Sequence, residues 1–202
     1  MAPYILGMPN HRKVRLVIVS TAIIVAIIYA GMRMRWFRAP YPELGKQIAW
    51  LLRCQEQAYN FEPIVAGSIY RSGLPDARFI RHVRRKHGIT HVVSLNGPRP
   101  FQFVARKVGI NLTVYNWSNN YPPPDSELER VLALADSGDP VLVHCSAGAD
   151  RTGFVAAAYR ITRQGWNAED AINEMRKYWH EPEGKPLLGV TLRAMPAAEN
   201  MK

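Results

Sequence analysis

The chain has 202 residues, a length that suits one catalytic domain with an additional segment. Its formal charge is +10, with 26 basic against 16 acidic residues, which favours anionic partners such as phosphorylated substrates, acidic lipid surfaces or nucleic acid. Only two cysteines are present, Cys54 and Cys145, so a disulfide scaffold and a cysteine-based zinc site are both excluded.

The N-terminal part of the chain contains a charge-free run of Ile, Val and Ala at residues 16–32. A helix of that length spans about 25 Å, at the short end for a membrane crossing. Basic residues flank the run on both sides, and Trp36 and Phe37 follow it, as at membrane interfaces. A cleaved signal peptide is the alternative, but Tyr29 is bulky where its cleavage pattern needs a small residue. We therefore predict a single-pass membrane anchor within residues 1–38, with the bilayer as a partner.

The membrane topology is less constrained, because the positive charges on the two sides of the run nearly balance. Free thiols such as those of Cys54 and Cys145 survive best where thiols are kept reduced. We therefore expect the domain after the anchor on the cytoplasmic side.

Residues 39–60 form the next segment, and their apolar side chains recur at helical spacing. The apolar positions are Leu44, Ile48, Leu51 and Leu52. This spacing predicts an amphipathic juxtamembrane helix that lies on the catalytic domain or along the membrane. Cys54 falls within it and is expected to be a packing residue without chemistry.

Residues 61–180 contain alternating short apolar runs and helical patterns. We predict strands in residues 68–75, 89–95, 110–115 and 141–143, and helices at residues 75–87, 101–108, 126–135, 153–164 and 168–179. Such alternation predicts an α/β fold, a parallel sheet with helices on both faces. Residues 181–202 carry no clear pattern and are expected to be a C-terminal tail.

One stretch, residues 141–153, organises the domain. A buried strand is followed by Cys145, Gly148 and Arg151, and then by an apolar helix. A loop of this length that enters a helix N-terminus directs backbone N–H groups and the helix dipole at one point, which makes an anion site. A thiolate placed there is stabilised by the same field. Arg151 can bind two phosphate oxygens with its planar fork, and Thr152 can donate its hydroxyl to the sulfur.

This stretch, HCSAGADRTG, resembles the signature loop of cysteine-dependent phosphatases of the protein tyrosine and dual-specificity type. The motifs YRSGLP and THVVSL and the segment EDAINEM are similar to bacterial members, so the resemblance covers residues 61–180. It implies the cysteine-phosphatase fold, with Cys145 as nucleophile, a phosphocysteine intermediate and no metal or other cofactor. The residues expected to bind phosphate are Ser146, Ala147, Gly148, Ala149, Asp150 and Arg151. The resemblance also implies that His144 supports the loop and the thiolate.

A general acid is needed to protonate the leaving oxygen, and here the chain departs from its relatives. Many relatives carry an Asp on a loop upstream of the cysteine, where this chain has Asn119 and Asn120. Two replacements are available. Asp125 follows three prolines, although an Asp there also suits a helix N-cap. Asp150 lies beside Arg151, where an acid occurs in several relatives; its alternative role is to hold the loop or to pair with Arg151.

The expected substrate is a phosphomonoester, either phosphotyrosine or phosphoserine in a protein or the head group of a phospholipid. A basic helix at residues 75–87 could contact anionic lipid, although a solvated helix face is the simpler interpretation. Because the usual acid is missing, a pseudophosphatase that binds phosphorylated partners without turnover is the alternative. A nucleic-acid partner is not expected, because the sequence contains no recognised RNA-binding module.

Overall fold

The computed structural model describes residues 11–33 and 41–198 of the chain. Its α-helices in these ranges are α1 (His11–Arg33), α2 (Glu43–Leu51), α3 (Gln55–Ala58), α4 (Ala77–His87), α5 (Phe101–Lys107), α6 (Asp125–Asp136), α7 (Asp150–Gln164), α8 (Ala168–Arg176) and α9 (Pro186–Ala194). The strands are β1 (Glu62–Val65), β2 (Ile69–Ser72), β3 (His91–Ser94), β4 (Asn111–Val114) and β5 (Val141–His144).

The strands form one five-stranded sheet in the order β1-β2-β5-β3-β4. Strands β2, β5, β3 and β4 run parallel, with Leu142 of β5 opposite Tyr70 on one side and Val92 on the other. Strand β5 is therefore central, and all four of its residues are buried. Ligands bind at the carboxyl ends of strands in open α/β sheets, so the residue after His144 lies at the favoured position.

Helices cover both faces of the sheet, as predicted. Successive residues of a strand point to opposite faces, so the side chains of β5 divide between two cores. Val141 and Val143 pack with α6, α7, α8 and α9, whereas Leu142 packs with α2, α3, α4 and α5. The predicted α/β fold is thus confirmed for the described part of the chain.

The first strand was not predicted. β1 pairs antiparallel with β2, so the sheet is mostly rather than wholly parallel. Pro63 lies in β1 and cannot donate to a neighbouring strand, which is tolerated because β1 is at the edge of the sheet. A proline in a four-residue strand with little alternation gives a weak strand pattern, and the strand was therefore missed.

Residues 41–60 form two helices instead of the single helix predicted. α2 ends at Leu51, and Arg53 adopts a left-handed conformation with φ 56° before α3 begins. A left-handed residue interrupts the helical hydrogen bonds and turns the chain. Ala49, Cys54 and Ala58 are buried in the core beside α4. Of the two locations considered for this segment, the structure shows packing on the catalytic domain.

The predicted C-terminal tail includes regular structure. α9 begins with Pro186, a residue favoured in the first helical turn, and packs on α7 and α8. Leu188 and Leu192 are buried in the core on that face of the sheet. Two leucines four residues apart on a nine-residue helix form too short a periodic pattern for the sequence alone to predict the helix.

The predicted membrane anchor is contradicted. Among residues 11–33 and 41–198, no helix combines the length and the apolar character that a membrane crossing requires. The charge-free run at residues 16–32 forms most of α1, but 17 helical residues extend only about 25 Å, short of a hydrocarbon core of about 30 Å. The predicted single-pass location, with the catalytic domain on the cytoplasmic side, depended on this anchor and is contradicted. The bilayer as a partner stays a prediction.

Candidate active site

The predicted nucleophile, Cys145, directly follows the central strand β5. Its side chain is buried, with 2% of the residue exposed. The backbone N–H of Gly148 donates to Cys145 Sγ at 3.3 Å, so the following loop curves around the sulfur. Helix α7 then begins at Asp150. Strand, cysteine, loop and helix therefore have the arrangement that the sequence predicted.

The loop after Cys145 is held from outside through three successive carbonyl groups. The carbonyl of Ser146 accepts from Leu74 N at 2.9 Å, that of Ala147 accepts from Asn60 Nδ2 at 3.1 Å, and that of Gly148 accepts from an Arg71 Nη at 2.6 Å. The C=O and N–H of a planar trans peptide point in opposite directions. The N–H groups of residues 147–149 therefore point away from these partners, towards the concave side of the loop.

Two glycines allow the loop to lie against the end of β2. Gly148 has φ +72°, and a Cβ there would lie 2.6 Å from Gly73 N and 2.7 Å from the carbonyl carbon of Ser72. A Cβ on Gly73 would lie 3.1 Å from Ala147 O. Both the left-handed backbone and the close contact exclude a side chain at residue 148.

Arg151 lies on the first turn of α7 and is oriented by backbone carbonyls. Its Nη1 donates to Trp117 O at 3.2 Å and to Leu95 O at 3.5 Å, and its Nη2 lies 3.4 Å from Ser146 Oγ. Its Nε–H is buried without a hydrogen-bond partner among the described residues. A charged donor held in place with an unsatisfied N–H is suited to bind an anion in the loop.

Ser146 and Thr152 lie on either side of this arginine. Asn96 Nδ2 donates to Ser146 Oγ at 3.0 Å, so the serine hydroxyl is fixed. Thr152 is fully buried, and its hydroxyl has no partner within the portion that the structure describes. The Thr152 hydroxyl is thus available to another group, as its predicted role requires.

His144 is fully buried under the loop, and its ring meets that of Phe101 edge-on at 5.0 Å. Its Nδ1 lies 3.2 Å from Cys145 O; since a carbonyl only accepts, Nδ1 carries the proton. Burial, with smaller contributions from the charges of Arg99 and Arg151, lowers the pKa of His144 to about 4. The imidazole is therefore neutral at neutral pH and supports the loop by its hydrogen bond.

The buried His144 predicts a loss of stability in acid. The unfolded chain binds a proton near pH 6.5 and the native chain only near pH 4, so the stabilisation is complete above pH 6.5 and is lost as the pH falls between these values. We expect the free energy of unfolding to fall by about 3 kcal/mol over that interval. Denaturant titrations at several pH values measure it. His144→Gln should remove this component, and an unchanged pH dependence in the variant would contradict the assignment.

Asp150, a candidate general acid, is engaged by the C-terminal segment. Its Oδ1 lies 2.8 Å from His180 Nδ1, and its Oδ2 lies 3.4 Å from Lys185 Nζ. Burial raises the pKa of Asp150, but the hydrogen bond to His180 and the charge of Lys185 outweigh it, so the pKa lies below its ordinary value. An ionised carboxylate cannot donate a proton, which favours the alternative role, that Asp150 holds the loop.

Asp125, the other candidate acid, is exposed at the start of α6. The helix N-cap is Pro124 and Asp125 is the first helical residue, so the expectation of an Asp N-cap was wrong. Asp125 lines a groove between α6 and α9 together with Met195 and Pro196. No residue of the loop 145–151 lines that groove.

The loop at residues 116–124 is anchored by contacts of Trp117 and Asn120. Trp117 is buried, and its Nε1 donates to Glu127 Oε2 at 2.5 Å. Its backbone carbonyl accepts a hydrogen bond from Arg151 Nη1. Asn120 Oδ1 accepts from Lys185 Nζ at 3.2 Å. Trp117 therefore fixes the loop and orients Arg151.

Several residues of the site were not identified from the sequence, among them Asn60, Arg71, Gly73, His180 and Lys185. Arg71 and Gly73 lie in the motif YRSGLP, and this motif could have indicated that its residues support the loop. The guanidinium of Arg71 also stacks on the ring of Tyr178 at 3.5 Å. The other three come from segments outside any motif, and only the tertiary structure brings them to the loop.

Comparison with known proteins agrees with this geometry. The sequence pattern of the family described as dual specificity phosphatase, catalytic domain, matches residues 81–183, just over half of the chain. The dual specificity protein phosphatase TpbA of Pseudomonas aeruginosa is 31% identical over 120 residues in strain UCBPP-PA14 and over 110 residues in a second strain. These regions are 54% of this chain and 50% of each relative, so the chain spans about half the length of the curated relatives it matches.

Solved structures share the fold. The crystal structure of P. aeruginosa TpbA superposes with a TM-score of 0.56 at 26% identity, covering 68% of this chain and 90% of that one. The crystal structure of PTPMT1 has a TM-score of 0.54 at 21% identity, covering 66% of this chain and 94% of that one, and is evidence for the fold alone. The chain therefore belongs to the dual specificity phosphatase catalytic-domain family.

Proposed function

We propose that this protein hydrolyses phosphotyrosine in phosphorylated proteins through a phosphocysteine intermediate on Cys145. The observation that carries the proposal is the orientation of the loop after Cys145. Three of its carbonyl groups point outwards, so the N–H groups of the same peptides point to the concave side, around the sulfur. The loop from Ser146 to Arg151 would bind the phosphoryl oxygens. The Arg151 guanidinium would take up charge that develops on them in the transition state.

The reaction would proceed in two displacements. The Cys145 thiolate attacks phosphorus, forming the P–S bond, and the P–O bond to the leaving group breaks. Water then attacks the phosphocysteine, the P–S bond breaks, and phosphate leaves with the thiolate restored. In the second step the buried hydroxyl of Thr152 would donate to the departing sulfur. His144 would hold the Cys145 carbonyl throughout.

The ionised state of Asp150 favours an aryl phosphate as the substrate. Asp150 is ionised by its contacts with His180 and Lys185, and Asn119 and Asn120 occupy the positions at which the family resemblance implies an Asp. A phenolate departs with little protonation, whereas an alkyl alkoxide needs a proton donor. Phosphotyrosine is therefore the preferred substrate over phosphoserine. The name of the curated relative TpbA, a dual specificity protein phosphatase, supports a protein substrate.

A phospholipid head group is the weaker candidate. It was considered because of the predicted membrane anchor, and no helix in residues 11–33 or 41–198 is suited to cross a membrane. The glycerol oxygen of such a substrate is also an alkyl leaving group, which a site without a proton donor handles poorly.

The surface beside the loop is suited to a peptide. A cavity there is lined by Leu74, Pro75, Asp76, Ala77, Arg99, Pro100 and Phe101. Leu74 donates to the Ser146 carbonyl and Phe101 contacts His144, so the cavity borders the loop. Its apolar wall would contact the residues around the phosphotyrosine.

A substrate panel tests the proposal. The protein is assayed with a phosphotyrosyl peptide, the same peptide with phosphoserine, and phosphatidylglycerophosphate in detergent. We expect kcat/KM for the phosphotyrosyl peptide to exceed both others by at least about 10²-fold, the usual size of a general-acid contribution. A higher value for the lipid would overturn the protein assignment, and equal values for the two peptides would overturn the aryl preference.

A second function, capture of phosphorylated partners without turnover, is favoured by the same missing proton donor. In that case the wild-type protein would bind a phosphotyrosyl peptide tightly and release no phosphate from any substrate of the panel. Binding by calorimetry and phosphate release by a dye assay, performed on one preparation, distinguish the two functions.

The two candidate acids are tested by substitution. Because Asp150 is held as a carboxylate, we expect Asp150→Asn to lower turnover of nitrophenyl phosphate and of an alkyl phosphate by the same factor. Asp125→Asn is the matched variant and should change neither rate. A selective loss on the alkyl substrate, of about 10²–10⁴-fold, would identify the substituted residue as the general acid.

A further inference from the structure

Away from the loop, three side chains with metal-ligating atoms converge between α3 and α4. Glu56 lies on α3, and His82 and His87 lie on α4. The Nε2 atoms of the two imidazoles are 3.0 and 2.8 Å from the same oxygen, Glu56 Oε1. The three ligating atoms all lie within 4.8 Å of one another.

The two imidazoles are held by aromatic rings. His82 meets the ring of Trp50 edge-on at 5.4 Å, and His87 lies 4.8 Å from the ring of Phe61 and 5.2 Å from that of Tyr70. Their side chains are 14% and 18% exposed, and that of Glu56 is 22% exposed. The ligating atoms are thus oriented by packing while one side of the cluster remains open to solvent.

We propose that Glu56, His82 and His87 bind a divalent transition-metal ion, with Zn²⁺ as the reference ion. Two imidazole nitrogens and one carboxylate are a ligand set that suits Zn²⁺. With ligands at about 2.0–2.1 Å, neighbouring ligand atoms of a tetrahedral site lie about 3.3 Å apart. The present separations of 3.0 and 2.8 Å between the imidazole nitrogens and Glu56 Oε1 are within about 0.5 Å of that spacing.

Gln55 offers a further ligand. Its Oε1 is buried and has no hydrogen-bond partner among the residues described, and its amide nitrogen lies 3.5 Å from His82 Nε2. Rotation of the amide by half a turn would bring this unsatisfied oxygen to the cluster. Without this rotation, water would supply the fourth position on the open side.

Lys86 competes with the ion for the carboxylate. Its ammonium lies 2.8 Å from Glu56 Oε1, but its side chain is 54% exposed and can turn into solvent. The remaining cations of α4 add positive charge to the same helix: Arg78, Arg81, Arg84 and Arg85. Loss of the Lys86 charge should therefore strengthen metal binding, which is a result that an ion-pair cluster without a metal role does not predict.

A bound ion would join the N-terminal helices to α4. The chain leaves α3 at Tyr59, whose carbonyl accepts from Gly73 N at 2.7 Å, and at Asn60, which donates to the Ala147 carbonyl. The ion would thus stabilise segments that support the phosphate-binding loop, without taking part in the reaction. Ligands that bind only the native state raise the melting temperature.

The test uses the full chain, treated with a chelator and desalted, in a Cys145→Ser background so that the thiolate does not bind the metal. Zinc sulfate is titrated by calorimetry, and thermal unfolding is followed with and without zinc. We expect one zinc ion per chain and a higher melting temperature. Glu56→Gln, His82→Gln and His87→Gln should each weaken binding by at least about tenfold. Lys86→Gln should tighten it.

The matched control is His91→Gln, because His91 is a half-buried histidine outside the cluster that contacts Thr113. It should leave the zinc affinity unchanged. Circular dichroism without metal checks that each variant is folded. The proposal is overturned by the absence of one-to-one binding, by equal binding in the three cluster variants and the control, or by weaker binding in Lys86→Gln. None of these readouts depends on phosphatase activity.

Discussion

Cys145→Ser should lower turnover of a phosphotyrosyl peptide by a factor on the order of 10⁴–10⁶, the scale of losing a catalytic nucleophile. A serine hydroxyl is a far weaker nucleophile than a thiolate at neutral pH. The loop N–H groups and Arg151 remain in the variant, so its affinity for the peptide should be retained. Steady-state kinetics measure the first quantity, and calorimetry with the same peptide measures the second.

Cys54→Ser is the control for this prediction. Cys54 is the second cysteine of the chain, buried at 1% exposure, with its sulfur 3.5 Å from that of Met32. It packs on the opposite face of the sheet from Cys145. Turnover should survive this substitution. Comparable activity in Cys145→Ser and the wild type would rule out the covalent mechanism.

Arg151→Lys should lower kcat/KM for the phosphotyrosyl peptide by about 10²–10³-fold, the cost of removing one transition-state donor group. A lysine ammonium cannot reproduce the planar fork, whose Nη1 is held by the Trp117 carbonyl and whose Nε has no hydrogen-bond partner within residues 11–33 and 41–198. The positive charge is conserved, so the loss would measure geometry rather than net charge.

Arg106→Lys, on the exposed last turn of α5, makes the same chemical change away from the loop. It should leave kcat/KM within about threefold of the wild type, as expected of exposed surface substitutions. Equal losses in the two variants would indicate a general electrostatic effect and contradict the binding role of Arg151.

The central part of the fold could be predicted because its signals are local. The buried strand at residues 141–144, the glycine that ends α7 at Gly165 and the cap of α8 at Asn167 each act within a few residues of the chain. The same holds for the loop from Cys145 to Arg151, whose spacing alone predicts an anion site at a helix N-terminus.

The supports of the site could not be predicted, because they depend on contacts between distant parts of the chain. Asn60 reaches the Ala147 carbonyl across 87 residues, and Arg71 reaches the Gly148 carbonyl across 77. Asp150 was expected to contact the reaction directly, yet it is paired with His180 and Lys185 from the segment predicted to be a tail. Its protonation state follows from that tertiary contact.

The membrane prediction failed for a different reason. Membrane anchors and shorter apolar helices can both have a hydropathic run like residues 16–32 with basic residues on either side. The length of this run was marginal for a membrane crossing. Ala49 and Cys54 instead pack with Met32 at the end of α1, in the core beside α4.

Detection of phosphocysteine on Cys145 tests the mechanism most directly. The full chain is mixed with a phosphotyrosyl peptide, denatured rapidly and analysed by phosphorus NMR and by mass spectrometry of its peptides. Thr152→Ala should accumulate more of the intermediate, since the second displacement loses its donor. The mechanism predicts one phosphoryl group attached through sulfur at Cys145, formed before free phosphate appears. Phosphate release without any phosphorylation of Cys145, or a phosphoryl group on another residue, would contradict it.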